Sequence, residues 1–509
     1  MTRPGTLRWF ARHELRLGWR DWIGLLSGGR PRRERRALVG FAIFALFMHG
    51  LAYSMVARYA AIAAPPDKRA LVVITGCALL SWSVMLSQAI ESVTRVFYAR
   101  ADLDLILSSP VPARRLFAVR IAAMAASIAV MAMLLAAPFI DVLAARGGAR
   151  WLAAYGVVVA MGLTAGAFAV ALTVALFRTI GPKRTRLVAQ IAAAVIGAAF
   201  VIGLQIAAIM SYGTLSRVAV LQSDWVVAHA PDPGSLLWWP ARATLGDTGI
   251  LALLLAASIA LLGAVILVFS PRFAQHATAA AAIARGPARR RTRRHIFRRT
   301  SPLAALRRKE WQLLGRDPWL VSQTLMQLLY LVPPAVLLWR SFGQASDAPK
   351  LLVPVLVMAA GQLAGGLAWL AISGEDAPDL VATAPMPARR VLRAKIEAVM
   401  GVIAVVFAPL LAALALAAPG AALAAAPTVA LAAASATAIQ LAFRTQARRS
   451  HFRRRQTSSR VATFAEAFSS IGWAATGALA AMGSTLALFS ALLALGTVMG
   501  ARKMAPAVT

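Results

Sequence analysis

At 509 residues the chain is 60% hydrophobic and only 14% charged, and its apolar residues run on for whole segments instead of lining one face. This excludes a soluble globular domain and a β-barrel, and it reads as an all-α, polytopic membrane protein. The net charge of +35 sits in blocks between the apolar runs, which fits membrane topology and argues against nucleic-acid binding; a single cysteine, Cys77, excludes disulfide frameworks and cysteine metal sites.

Residues 1–36 form a basic cytoplasmic segment with an amphipathic connecting helix. At about 100° per residue, Arg8, Arg12, Arg16 and Arg20 fall on one side, with Leu7, Phe10, Leu17 and Gly18 opposite. Such a helix lies in the headgroup layer with its arginines toward anionic lipid. Glu14 projects from the middle of the apolar face, where an unpaired carboxylate is costly, so a partner on a neighbouring helix is expected. The first apolar run begins near Ala37 after this long basic stretch, so no cleavable signal peptide is expected.

The first transmembrane half, 37–270, holds six predicted spans: 37–60, 71–93, 116–140, 151–177, 188–211 and 249–270. Between the second and third lies Asp104-Leu105, followed by PVPARR, which contains Pro110, Pro112, Arg114 and Arg115. The fourth span ends in Phe177-Arg178-Thr179. An outer segment, Tyr212 to Thr248, carries Asp224, Trp225, His229, Asp232 and the cluster Trp238-Trp239-Pro240. Tryptophans beside a span are expected at the membrane interface, with a substrate gate as the alternative. His229 and Asp232 alone are too few for a metal site. The linker 271–301 follows, and its Ala-Arg tract, Arg289 to Arg299, reads as a solvated cytoplasmic tether.

The second half repeats this plan. Leu303, Arg308, Glu310, Leu313, Arg316 and Asp317 match Leu7, Arg12, Glu14, Leu17, Arg20 and Asp21. They define a second connecting helix, 302–318, in which Leu303, Leu306, Leu313 and Leu314 share a face around Glu310. Six further spans fill 319–500: 319–340, 351–373, 391–417, 423–443, 462–481 and 485–500. Asp379-Leu380 and PMPARR, with Pro385, Pro387, Arg389 and Arg390, follow the second of them, and Phe443-Arg444-Thr445 follows the fourth. The last pair is short and requires a tight turn at Met482-Gly483-Ser484. Residues 501–509 are a cytoplasmic tail. Three markers in one order indicate internal duplication, giving about twelve helices in two tandem six-helix halves, each preceded by an amphipathic interfacial helix.

With the N-terminus inside, only Arg58, Lys68, Arg69, Arg146, Arg150, Arg217, Arg242, Arg340 and Lys350 among the 54 Lys and Arg fall outside. That asymmetry predicts a multi-pass protein of the plasma (inner) membrane with both termini cytoplasmic. Catalytic chemistry is not in evidence: there is no GxxxxGK[ST] loop, HExxH or GxSxG motif, and the six histidines are scattered. Neither a catalytic nor a metal site is therefore expected, and the chain is not read as an enzyme. Glu91, Asp141, Glu397 and Glu466 lie near span ends, with Glu466 the one to watch; so few ionisable groups argue against an ion-coupled carrier. The spacings Gly162xxxGly166 and Gly361xxxGly365 are expected to let helices pack closely.

The run LDLILSSP, Leu103 to Pro110, resembles the LELLLSTP stretch of type-2 ABC exporter permeases, which forms a cytoplasmic coupling helix between the second and third spans. DLVATAP, Asp379 to Pro385, occupies the same place in the second half. Glu14, Arg20 and Asp21, with Glu310, Arg316 and Asp317, are similar to the KExxxxxRDP connecting helix of that family. Only the second half keeps the proline, Pro318, where the first has Trp22, and the glycine and glutamate that precede the coupling helix survive only as Gly374-Glu375. The likeness covers most of the chain in topology and a few dozen residues in motif.

The resemblance implies a complete permease fused in one chain, without a cofactor of its own, working with two separate ATPase subunits that bind ATP and Mg. It casts Asp104, Pro110, Pro112, Arg114, Arg115, Asp379, Pro385, Pro387, Arg389 and Arg390 as coupling residues. A plainer reading stands beside it: proline breaks the helix, aspartate caps the next, and arginine obeys the positive-inside rule. An ion-coupled secondary transporter with two six-helix halves is the alternative function, although the GxxxDRxxRR loop of the largest such family is missing. An Ala/Leu-lined bundle suits a lipid, hydrophobic drug or peptide better than a small ion as cargo, with membrane lipids as neighbours and no nucleic acid. Export is implied by the resemblance alone.

Overall fold

The computed structural model describes residues 9–14, 16–18, 20, 34–62, 66–98, 113–212, 217–285, 301–316, 318–341, 348–373, 381, 383, 385–443 and 460–505. Every regular element among them is a helix. Long apolar runs give this result because a backbone in hydrocarbon must satisfy its own hydrogen bonds. Nine helices among the described residues are long and apolar enough to cross a membrane, so the architecture is that of a polytopic all-α protein. The other three expected spans coincide with helices Glu34–Val56, Pro318–Ser341 and Arg460–Ala481. The last is diluted by Glu466, Ser469, Ser470 and Thr476.

The chain divides into two compact units, Met1–Ala288 and Arg289–Thr509. In the first, α1 (Glu34–Val56) packs on α3 (Ala113–Gly147), while α2 (Lys68–Tyr98), α3, α4 (Ala153–Ile180), α5 (Pro182–Tyr212) and α6 (Thr248–Arg285) share a core that includes Ile90, Phe117, Val170 and Val174. Gly162 and Gly166 let α4 lie directly on α3. A Cβ at Gly162 would come 2.6 Å from the Ala129 Cβ, and one at Gly166 2.8 Å from the Ala125 Cβ. The first small-residue pair therefore serves backbone approach.

Two features of this unit depart from expectation. Helix α6 continues beyond 270, through Pro271, to Arg285, so the first part of the expected linker is helical. A proline removes one hydrogen bond and kinks a helix without always ending it, and the Ala-rich stretch that follows has the highest helix propensity. In the segment 212–248, Trp238 is a core residue of the protein and does not face outward. It is 3% exposed, its indole donates to the Asp232 carbonyl at 2.9 Å, and it packs with Leu71, Val72, Leu221 and Ala241. Trp225, by contrast, is 68% exposed and stacks on His229.

The second unit contains α7 (Pro302–Arg316), α8 (Pro318–Ser341), α9 (Ala348–Ser373), α10 (Ala388–Ala417), α11 (Pro419–Phe443), α12 (Arg460–Ala481) and α13 (Leu486–Met504). Helix α9 is its centre: Leu352, Val353, Leu356, Val357, Ala360, Ala364 and Leu367 are all buried, and α7, α8, α10, α11 and α12 pack against it. The tight turn expected at residues 482–484 is present as a Schellman motif. Ser484 N–H donates to the Leu479 carbonyl at 2.9 Å, Gly483 N–H to that of Ala480 at 3.0 Å, and Gly483 has φ 73°.

Candidate functional site

Helix α7 begins with its first turn held by Ser301, whose hydroxyl accepts from the Ala304 N–H at 3.3 Å. Its residues alternate as an amphipathic helix requires: Leu306, Glu310 and Leu314 are buried on one face, while Arg307, Arg308, Trp311 and Gln312 are exposed. The burial of Glu310 is complete, at 0%. Sequence reasoning predicts a partner for it, and the partner is Lys395 on α10. The Lys395 ammonium donates to Glu310 Oε1 at 3.0 Å and Oε2 at 3.1 Å, and a third bond goes to the Ala371 carbonyl near the end of α9 at 2.5 Å. One cation thus joins three helices.

A second pair runs alongside. Arg307 grips both oxygens of Glu397, with Nε to Oε2 at 2.5 Å and Nη2 to Oε1 at 2.9 Å, and Arg393 Nε adds a bond to Glu397 Oε1 at 2.8 Å. The hydrogen bond to Glu397, and then its charge, raise the pKa of the Arg307 guanidinium. The two pairs differ in kind: Arg307 and Glu397 keep 46% and 30% of their side chains exposed, against 12% and 0% for Lys395 and Glu310. The exposed pair is screened by solvent and adds little to stability. Breaking the buried pair on one side leaves an uncompensated charge, at a cost of about 3–5 kcal/mol. Packing adds to the attachment, since Trp311 fills the space beside Gly401, where a Cβ would lie 2.9 Å from its ring.

Helix α10 opens in the repeated motif. Pro387 is its N-cap in extended conformation (φ −61°, ψ 131°), and the Arg390 N–H donates to the Pro387 carbonyl at 2.8 Å. Pro385, Pro387, Arg389 and Arg390 are exposed, so the motif is an accessible turn with two cations on the first turn of the helix. In the first unit, Arg114 and Arg115 likewise stand exposed on the first turn of α3. Residues 9–14, 16–18 and 20 include helical Glu14, half-buried, and exposed Arg20. Arg316 ends α7. Asp21, Asp104, Pro110, Pro112, Asp317 and Asp379 lie outside the described residues.

The structure therefore brings Glu310 to the helix that PMPARR opens, through residues that motif reading passed over: Lys395, Arg307 and Arg393. A signal was available. At the offset that superimposes PVPARR on PMPARR, Lys395 falls on Arg120, so a basic residue follows both copies at the same distance.

Two other polar groupings link helices, and their side chains are partly exposed. In the first unit His49 Nε2 lies 3.2 Å from Asp141 Oδ2, while the Tyr155 hydroxyl donates to Asp141 Oδ1 at 2.7 Å. In the second, the Gln440 amide donates to Glu466 at 2.5 Å. Among the described residues no group of three or more His, Cys, Asp or Glu is placed to hold a metal ion. In comparisons with known proteins, no family model, no curated protein and no solved structure matches the chain.

Proposed function

We propose that this chain is the membrane-spanning permease of an ATP-driven exporter of the ABC type, with both permease halves in one polypeptide and two separate ATPase subunits as partners. The observation that carries the reading is the buried Glu310–Lys395 pair, which ties a connecting-type helix to the helix opened by PMPARR. Such a tie is what a lever needs. Force on an exposed turn is transmitted inward only when the helix behind it is held to its neighbours by contacts too costly to break.

In this mechanism the ATPase subunits bind ATP and Mg and dock on the cytoplasmic face. The segments around Asp104 to Arg115 and Asp379 to Arg390 enter grooves on the ATPase surface, where Arg114, Arg115, Arg389 and Arg390 meet acidic side chains. ATP-driven closure moves these segments, and the attached helices switch the path between inward and outward access. Glu14 and Glu310 brace the connecting helices, while Arg20, Asp21, Arg316 and Asp317 belong to the same elements. About twelve spans, an inner-membrane location and cytoplasmic termini complete the proposal, with a lipid, hydrophobic drug or peptide as the cargo class. The test is co-purification: an ATPase subunit should follow the tagged permease from membranes, and its absence under mild detergent would count against the reading. The Glu466–Gln440 pair within the bundle is the observation that favours the second reading, an ion-coupled carrier.

A further inference from the structure

Helices α9, α11 and α12 of the second unit share a polar seam inside an otherwise apolar bundle. The register follows from the contacts. A Cβ at Gly365 would collide with the Glu466 carboxylate and one at Gly361 with the Ser470 hydroxyl, so α12 runs antiparallel to α9 with these residues level. On the other side Gln440 bonds Glu466, and Trp473 donates to Ser435 at 2.9 Å. Thr437 on α11 therefore stands level with Ser469 and Ser470 on α12, within a turn of Glu466. The two glycines bring α9 against the same place and leave room there for oxygen atoms instead of side-chain carbon.

The hydroxyls in this seam are unusual. In helices of apolar bundles, serine and threonine ordinarily donate to a carbonyl one turn back. Thr94, Thr173, Thr428 and Thr476 do so here, with bonds of 2.6–2.9 Å to the carbonyl four residues before each. The hydroxyls of Thr437, Ser469 and Ser470 make no hydrogen bond, although these residues are only 2%, 1% and 1% exposed. Buried unpaired hydroxyls carry a desolvation penalty. Three of them at the level of Glu466 and Gln440 put buried hydroxyls, one carboxylate and one side-chain amide in the same layer of the bundle.

We propose that this seam binds a small monovalent cation of the sodium class, ligated by the Glu466 carboxylate, the Gln440 side-chain oxygen and the hydroxyls of Thr437, Ser469 and Ser470. The ligand chemistry selects the ion. Hard oxygen donors exclude soft metals, which want sulfur or imidazole. One carboxylate is too little charge for calcium, and magnesium keeps several of its waters. A proton on Glu466 would satisfy one acceptor and leave three hydroxyls unpaired, whereas a cation engages them all. A half-turn of the Gln440 amide presents its oxygen. The site holds whether ATP or an ion gradient drives transport, and its test requires no ATPase.

The experiment uses the purified full-length protein in detergent, with ²²Na⁺ binding measured by scintillation proximity. Thermal unfolding is recorded in parallel in NaCl and in N-methyl-D-glucamine chloride at equal ionic strength. Saturable sodium binding and a sodium-dependent rise in Tm are expected. Glu466→Gln should abolish both, and Thr437→Val and Ser470→Ala should each weaken sodium affinity about tenfold. Should the Glu466 variant fail to fold, the two hydroxyl variants carry the test. Absence of saturable binding by the native protein overturns the proposal, as does sodium affinity unchanged in both hydroxyl variants. A pH-dependent Tm shift that Glu466→Gln removes, with no sodium dependence, also overturns it and assigns a proton to the site.

Discussion

Replacing Lys395 by methionine isolates the buried tie between α7 and α10. The substitution keeps most of the aliphatic stem and removes an ammonium that bonds both Glu310 oxygens and the Ala371 carbonyl. Glu310, with no exposed surface, is left with Lys309 Nζ at 3.6 Å as its cationic neighbour. Because Lys309 is 33% exposed and offsets only part of the loss, the low end of the usual range applies, about 3 kcal/mol. At about 1.4 kcal/mol per decade, this is roughly a hundredfold rise in the population with α7 undocked. Hydrogen–deuterium exchange of residues 302–316 reads it directly, since local undocking exposes these amides. Arg307→Gln is the internal control. Its partner Glu397 keeps Arg393, and a solvent-screened pair contributes little, so exchange should quicken by no more than about fivefold. The double variant Glu310→Leu with Lys395→Met removes both charges and should return exchange to within about fivefold of native. If Lys395→Met exchanges no faster than Arg307→Gln, or if the double variant is worse than the single, the buried tie is not what holds α7.

Further expectations concern packing, a turn and topology. Gly162→Leu and Gly166→Leu each force α4 away from α3, where Ala129 and Ala125 leave no room, and should lower the unfolding temperature through a cost of about 1–3 kcal/mol or more. Gly483→Ala imposes a left-handed conformation on a residue with a Cβ; a loss of about 1 kcal/mol is expected, measurable as a Tm decrease, whereas Gly496→Ala, in open space on α13, should leave Tm unchanged or raise it. On a Cys77→Ala background, a cysteine at exposed Trp225 should react with an impermeant maleimide added to intact cells, and one at exposed Arg389 only after permeabilisation. The opposite pattern would invert the proposed topology.

Much of the helical architecture is legible in the sequence because the bilayer leaves few choices: an apolar run of sufficient length must satisfy its own backbone, and helix is the solution. The turn at Gly483 is legible for a similar local reason, since two short helices need a residue tolerant of positive φ between them. Glu310 stands out in sequence as a carboxylate at the centre of a leucine face, which signals that a partner exists without saying which. Lys395 is 85 residues away and, among so many cations between the apolar runs, looks like one more topology signal. Only the packing of α7 on α10 selects it. The seam at Glu466 is hidden for the same reason, because its glycines lie on α9 and its hydroxyls on α11 and α12. Pro271 misleads in the other direction, as a local helix breaker overruled by the alanine-rich stretch beyond it.

The most direct test of the proposed permease role is ATPase activity of the protein reconstituted in proteoliposomes with ATPase subunits that co-purify with it, before and after both PxPARR segments are replaced by Gly-Ser sequence of equal length. The proposal predicts that such subunits are found, that the protein stimulates their ATP hydrolysis, and that the replacement abolishes stimulation while leaving the membrane-inserted fold intact. Unchanged stimulation after replacement of both segments would contradict it.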